Sequence, residues 1–96
     1  MTKYFLSPSA RLDLIDIWVY IAENNIVAAD KISAEIESAC EILAQSPHLG
    51  HFRKDLTKSN VRFWPIHDYL VIYRDSAPLE IVRVLSGFRD IIKLLD

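Results

Sequence analysis

Apolar side chains in the first half of the chain recur every three or four residues, the spacing of α-helices. A first pattern begins at Ser7-Pro8 and runs to about Asn24, because serine is a favoured N-cap and proline fits the first helical position. A second runs from about Val27 to Gln45, and Ser46-Pro47 ends it. The short break between them predicts an antiparallel helical hairpin. The expected buried stripes contain Ala10, Leu14, Ile17, Trp18 and Ile21, and then Ile32, Ile36, Ala39, Cys40 and Leu43.

The second half changes to the alternation and the β-branched and aromatic content that are typical of strands. Pro65 has no backbone N–H, so its strand is expected to be an edge or to end there. The sequence therefore predicts one α+β domain over residues 1–96: an N-terminal strand, a helical hairpin, a three-stranded antiparallel meander and a short C-terminal helix. The β-rich part comprises a strand at Tyr4–Leu6, a loop from His48 to Asn60, strands at Val61–Ile66, Tyr69–Arg74 and Leu79–Leu85, and a helix from Arg89 to Leu95.

A second apolar strip lies on the first predicted helix. Leu12, Ile15 and Val19 cannot all face the same sheet as the stripe that contains Leu14 and Ile17. Two interpretations are open. The strip is a groove for a partner protein, because leftover apolar surface on a short chain often marks such a site, or the helix is buried more deeply than a hairpin implies.

Charge is distributed unevenly along the 96 residues. The net charge is −2, with about −4 on residues 1–47 and +2 on residues 48–96, which argues against a strong nucleic-acid binder and assigns any basic surface to the second half. The single cysteine excludes an internal disulfide. No signal-peptide or membrane-span pattern is present. We expect a cytoplasmic protein with no membrane association.

Arginines on the predicted strands are the main candidates for binding. Arg62 and Arg83 lie among apolar residues, and strand alternation places Arg83 on the same face as Ile81 and Leu85. They are either surface arginines on a sheet that is exposed on one side, or part of a basic surface of the sheet that binds an acidic or phosphate-bearing partner. Such a surface would also include Arg53, Lys54, Arg74 and Arg89.

The sequence predicts no catalytic residue, metal site or cofactor. His48, His51 and His67 do not form a recognisable ligand set, and Cys40 belongs to a helix stripe. His67 falls in a predicted turn, where a solvated histidine is the ordinary case. Ser86-Gly87 lacks the flanking pattern of a nucleophile elbow, and no glycine-rich phosphate loop is present.

Four segments of the chain form a recognisable series in register. They are Ser7-Pro8-Ser9-Ala10 with Asp13, Leu14, Ile17 and Tyr20; Leu43 to Gly50 with Arg53, Asp55 and Leu56; Arg62 to Pro65 with Tyr69 to Arg74; and Ile81 to Leu85 with Gly87 to Ile91. Together they resemble the ParE-type toxins of the RelE/ParE superfamily, which belong to bacterial toxin–antitoxin and plasmid stabilization modules. The resemblance covers almost the whole chain.

The resemblance implies a toxin that inhibits DNA gyrase by direct binding and forms a hetero-oligomer with a ParD-like antitoxin, without sequence-specific DNA binding of its own. The antitoxin's C-terminal segment would lay a helix on the helical hairpin and often a strand against the sheet. The implied target-binding residues are Arg62, Arg83 and Arg89. The implied antitoxin-binding residues are Leu12, Ile15, Val19, Arg53, Arg62, Arg74 and Arg83.

The chain departs from the family pattern at its end. Ser86 stands where the family usually has histidine, and no tyrosine, histidine or arginine follows Arg89. Two alternatives accompany the gyrase inhibitor. One is a RelE-like, ribosome-dependent mRNA endonuclease in which Arg62, Arg83 and Arg89 stabilise the phosphoryl transition state. The other is a relative that binds the antitoxin but is not toxic.

Overall fold

The computed structural model describes residues 3–87 and 91–95, and it confirms the α+β class. The strands form one sheet in which β1 lies parallel to β5 and the other neighbours are antiparallel, in the order β1-β5-β4-β3-β2. In chain order the elements are β1 (Tyr4–Leu6), α1 (Pro8–Ala22), α2 (Ile26–Gln45), β2 (His51–Phe52), β3 (Arg62–Ile66), β4 (Tyr69–Arg74), β5 (Leu79–Ser86) and α3 (Ile91–Leu95), with a 3₁₀ turn at Pro47–Leu49.

The helical hairpin begins where the sequence predicts it. The Ser7 side chain accepts a hydrogen bond from the Ala10 amide at 3.0 Å, and Pro8 occupies the first turn of α1. Asn25 caps α2 in the same way through the Ala28 amide at 3.0 Å. No helix among the described residues combines the length and the apolar character that crossing a membrane requires.

Apolar side chains pack on both faces of the sheet. Helices α1 and α2 cover one face, where the thiol of Cys40 is buried, and α3 contributes Ile91 to the other face. Burial, with smaller contributions from the nearby Glu37 and Glu41 carboxylates, raises the pKa of the Cys40 thiol to about 12. The helix-side cluster contains Ala10, Ile36, Cys40, Leu43, Val71, Tyr73, Leu79, Ile81 and Val84, and the opposite cluster contains Val61, Phe63, Ile72, Leu85 and Ile91.

The segment predicted as one loop between α2 and β3 is partly ordered structure. It contains the 3₁₀ turn and β2, whose two residues pair with Phe63 and Arg62. The cause is tertiary, because the buried Tyr73 hydroxyl accepts a hydrogen bond from the Gly50 amide at 2.7 Å and donates one to the Pro47 carbonyl at 2.6 Å. Since β2 stops at the Phe63 pairing, the outer edge of β3 is open at Pro65. This confirms the edge that its missing N–H predicts.

A β-bulge interrupts β5. Tyr73 pairs with Ile81 and Ile72 pairs with Arg83, so Val82 is an extra residue that has no partner on β4. An extra residue reverses the alternation of side chains along a strand. Ile81 therefore packs under the helices, whereas Arg83 and Leu85 belong to the opposite face. The prediction that Arg83 shares a face with Ile81 is wrong for this reason.

Candidate functional site

The outer surface of α1 exposes an apolar strip. The side chains of Leu12, Ile15 and Val19 are 61%, 52% and 46% exposed. Spacings of three and four residues place them on the side of the helix away from the fully buried Ala10. The alternative that α1 is buried more deeply than a hairpin implies therefore does not hold for these three side chains. The α1 strip, as we call these three residues, is an exposed hydrophobic surface of the kind that marks a protein-binding site.

A second apolar surface lies between α2 and the open edge of β3. The groove encloses about 490 Å³, and its apolar wall includes Ala39, Ile42, Trp64 and Ile66. Ile42 is 53% exposed. The groove is not evident from the amino-acid sequence, because it depends on β2 ending before Pro65. Pro65 itself, as a marker of an open strand edge, was the signal that pointed to it.

Arg83 belongs to a network that joins α1, β5 and α3. Its guanidinium donates two hydrogen bonds to the Asp13 carboxylate, from Nε at 2.7 Å and from Nη2 at 2.9 Å, and a longer one to the Leu94 carbonyl at 3.4 Å. The Val84 amide donates a further bond to Asp13 at 3.0 Å. The bidentate contact with Asp13 raises the pKa of Arg83.

The buried Asp13 replaces a missing strand partner. β1 pairs with β5 only as far as Ile81, and beyond it the Ser7 hydroxyl donates to the Val82 carbonyl at 2.7 Å while Asp13 accepts from the Val84 amide. Side chains around the start of α1 therefore satisfy the β5 edge where β1 has ended. The Asp13–Arg83 pair thus connects α1 to β5 of the sheet.

Arg62 occupies the other end of the sheet. Its guanidinium stacks on the Phe52 ring, 4.2 Å from the ring centroid, and donates to the Gly50 carbonyl at 2.9 Å. Arg62 pairs across the ladder with Tyr73, which faces the helices, whereas Arg83 pairs with Ile72, which faces away from them. Arg62 and Arg83 thus lie on opposite faces of the sheet. The prediction that both arginines belong to one basic surface of the sheet is wrong, because the bulge at Val82 reverses the face of Arg83.

The other described arginines of the predicted basic surface, Arg53 and Arg74, form separate ion pairs of their own. Arg53 forms an exposed ion pair with Asp55 at 2.8 Å, which lowers the pKa of the Asp55 carboxyl, and Arg74 pairs with Glu80 at 2.6 Å. Both side chains keep a partly exposed guanidinium and stay candidates for contact with a partner. Arg89 lies outside the described residues.

The histidines occupy separate positions. His48 and His51 are exposed, and His67 lies in the β3–β4 turn with a φ of 54°. The His67 Nε2 atom contacts the Glu35 carboxylate and so joins this turn to α2. Within residues 3–87 and 91–95, no three His, Cys, Asp or Glu side chains are placed to hold a metal ion.

Comparison with known proteins identifies the family. The sequence model of the ParE toxin of the type II toxin–antitoxin system parDE matches residues 4–91. This chain belongs to the ParE toxin family. It is similar to the toxin ParE1 of Caulobacter vibrioides, with 31% identity over 86 residues, which are 88% of this chain and 88% of that protein. The ParE resemblance noted in the sequence is thereby confirmed.

A solved structure supports the ParE fold. The structure described as the chromosomal ParDE TA system from P. aeruginosa matches with a TM-score of 0.71. The alignment covers 90% of this chain and 96% of that one, at 20% sequence identity. At this identity the match concerns the arrangement of strands and helices. The match therefore supports the ParE fold of this chain.

Proposed function

We propose that this ParE-family toxin inhibits DNA gyrase by direct binding in the cytoplasm, and that a ParD-like antitoxin neutralises it by covering the α1 strip. The exposure of Leu12, Ile15 and Val19 carries the antitoxin part of the proposal. These three apolar side chains of α1 are exposed to water, and burying their surface against a partner favours association. The similar solved structure is described as a ParDE system, which agrees with an antitoxin partner.

The occupant that fits the α1 strip best is an amphipathic helix. Apolar residues at positions 12, 15 and 19 follow the helical repeat, so a second helix can pack its own apolar stripe along them. A strand or extended segment of the same antitoxin can enter the groove beside Trp64 and Ile66. Acidic residues on that chain would find guanidinium groups at Arg53 and Arg74 around the rest of the domain.

Replacing Ile15 with glutamate is expected to weaken antitoxin binding about 100-fold, because the variant would desolvate a carboxylate in the centre of an apolar contact. Isothermal titration calorimetry with the antitoxin encoded beside the toxin gene measures the dissociation constant. Val27→Glu is the matched control, since Val27 is 78% exposed at the start of α2 and lies off the strip. A folded Ile15→Glu variant that keeps full affinity for the antitoxin would show that the antitoxin does not bind the α1 strip.

The arginine positions favour an inhibitor over a nuclease. Arg62 and Arg83 lie on opposite faces of the sheet, so the pair does not converge on a single phosphate as the ribonuclease alternative requires. Asp13 already neutralises Arg83. We therefore propose that exposed groups around Arg62 and the terminal segment that contains Arg89 contact gyrase. The toxin would inhibit by binding, without cleaving a bond.

A supercoiling assay tests the target. Purified toxin is expected to inhibit DNA gyrase at molar excess, and the antitoxin added beforehand should restore supercoiling because it occupies the toxin. Supercoiling that is unaffected at large excess would contradict the proposal. In that case, codon-linked cuts in primer extension on cellular messages would support the mRNA endonuclease. Normal growth of cells that express the toxin alone would support a non-toxic relative.

A further inference from the structure

A pocket of about 320 Å³ opens between α1 and the sheet, beside the start of β4 and the end of β5. Among the residues that line it are Asp16, Ile17, Tyr20 and Tyr69. Asp13 lines it as well. The pocket thus combines aromatic surface with carboxylate oxygens in one concave site.

The electrostatic character of the pocket is negative. The Asp13 carboxylate is already bound by Arg83, whereas Asp16 forms no ion pair with any residue among 3–87 and 91–95. Burial raises the pKa of Tyr69, and the Asp68 carboxylate and Tyr20 raise it further, so its phenol stays neutral at physiological pH. Neutral aromatic rings beside an unpaired carboxylate attract a cation.

The shape of these groups favours a guanidinium over an ammonium. A planar guanidinium stacks on a tyrosine ring and presents two parallel N–H groups to one carboxylate, whereas an ammonium is a compact point charge with no plane to stack. Asp16 and Tyr20 lie one turn apart on α1, and Tyr69 faces them from β4. An arginine side chain matches both the rings and the carboxylate.

The pocket adjoins the α1 strip. Asp16 is four residues after Leu12, and Tyr20 directly follows Val19, so both lie along the flank of the strip. We propose that the pocket holds an arginine side chain of the antitoxin that covers the α1 strip, with the guanidinium between the two tyrosine rings and on Asp16. This inference rests on the proposed antitoxin function. It adds a specific polar anchor beside the apolar α1 strip.

Titration with small probes tests the pocket without the antitoxin. N-acetylarginine amide is expected to shift the backbone NMR signals of Asp16, Tyr20 and Tyr69 in a saturable way at millimolar concentration. The neutral isostere N-acetylcitrulline amide should bind at least fivefold more weakly. Asp16→Asn should weaken arginine binding about tenfold, a loss in the range of cation–π and carboxylate contacts. Glu23→Gln, which removes an exposed carboxylate outside the pocket, should leave it unchanged.

Calorimetry with the antitoxin tests the identity of the ligand. Asp16→Asn is expected to raise the antitoxin dissociation constant about tenfold, and Glu23→Gln should not change it. Equal binding of the arginine and citrulline probes, or an unchanged antitoxin affinity in Asp16→Asn, would overturn the arginine anchor. These outcomes are separate from the failure of the proposed function, which a folded Ile15→Glu variant with full antitoxin affinity would show.

Discussion

Replacing Asp13 with alanine is expected to lower the free energy of unfolding by about 3–5 kcal/mol, the usual cost of removing one partner from a buried ion pair. The Asp13 side chain is 8% exposed and that of Arg83 is 20% exposed. The variant leaves the guanidinium without its carboxylate and the Val84 amide without its acceptor. The loss is a large part of the stability of a domain this small.

Urea denaturation followed by circular dichroism measures this loss. The midpoint should fall while the m-value stays constant, since the surface exposed on unfolding does not change. Asp16→Ala is the matched control because it removes an exposed carboxylate from the same helix without an ion pair among the described residues, and we expect a change below about 0.5 kcal/mol. A loss below about 1 kcal/mol in Asp13→Ala would mean that the pair does not stabilise the contact of α1 with β5.

The hydrogen-bond network of Asp13 and Arg83 also includes the C-terminal helix α3. Arg83 Nη1 contacts the Leu94 carbonyl of α3, so the Asp13–Arg83 pair connects the helical hairpin with the C-terminal helix. A variant that releases Arg83 would therefore loosen both α1 and α3. Assays of toxicity on Arg83 variants need the stability measurement beside them, because loss of activity alone does not separate contact with a target from loss of fold.

Replacing Gly50 with alanine is expected to destabilise the protein by about 2–4 kcal/mol, through steric overlap and the loss of hydrogen bonds. A methyl group at this position would lie 2.4 Å from the Tyr73 hydroxyl oxygen and 2.6 Å from its Cε1 atom. The ring cannot move aside easily, because it is fully buried and its hydroxyl bonds to both Gly50 and Pro47. The overlap must displace either the Tyr73 ring or the turn before β2.

Thermal unfolding of two glycine variants separates this clash from a general effect of alanine. Gly87→Ala is the control, because a methyl group there would approach only the Asp68 carbonyl, at 3.5 Å, which is an ordinary contact. We expect Gly50→Ala to melt at least about 8 °C below the parent and Gly87→Ala to stay within about 4 °C of it. Similar melting temperatures for the two variants would contradict the role of the Tyr73 contact.

Local patterns predicted the two long helices and four of the strands closely. The bounds of α1, α2, β1, β3, β4 and β5 differ from the sequence expectation by two residues at most, because caps, prolines and periodicity act within a few residues. The exposed α1 strip followed from the same periodicity, since three apolar positions remained outside the stripe that contains Leu14. The sequence predicts only a loop between α2 and β3, because the order of this segment depends on Tyr73, more than twenty residues away.

The candidate site was predicted in part. The α1 strip is where the sequence placed it, whereas the groove between α2 and β3 and the pocket at Asp16 were not anticipated. Both depend on which elements lie side by side and where a strand stops pairing. The faces of Arg62 and Arg83 required the register of β4 against β5, which one inserted residue reverses.

The order of the elements, the helix caps and the surplus of apolar residues on α1 can be predicted from the amino-acid sequence, because they depend on propensities and spacings along a short stretch of chain. In contrast, the pairing of Asp13 with Arg83 at the β5 edge and the packing of Arg62 on Phe52 on the opposite face depend on the folded arrangement. The reason is that pairing of distant residues follows strand register and edge geometry, and a bulge of one residue changes both without leaving a periodic signal in the sequence.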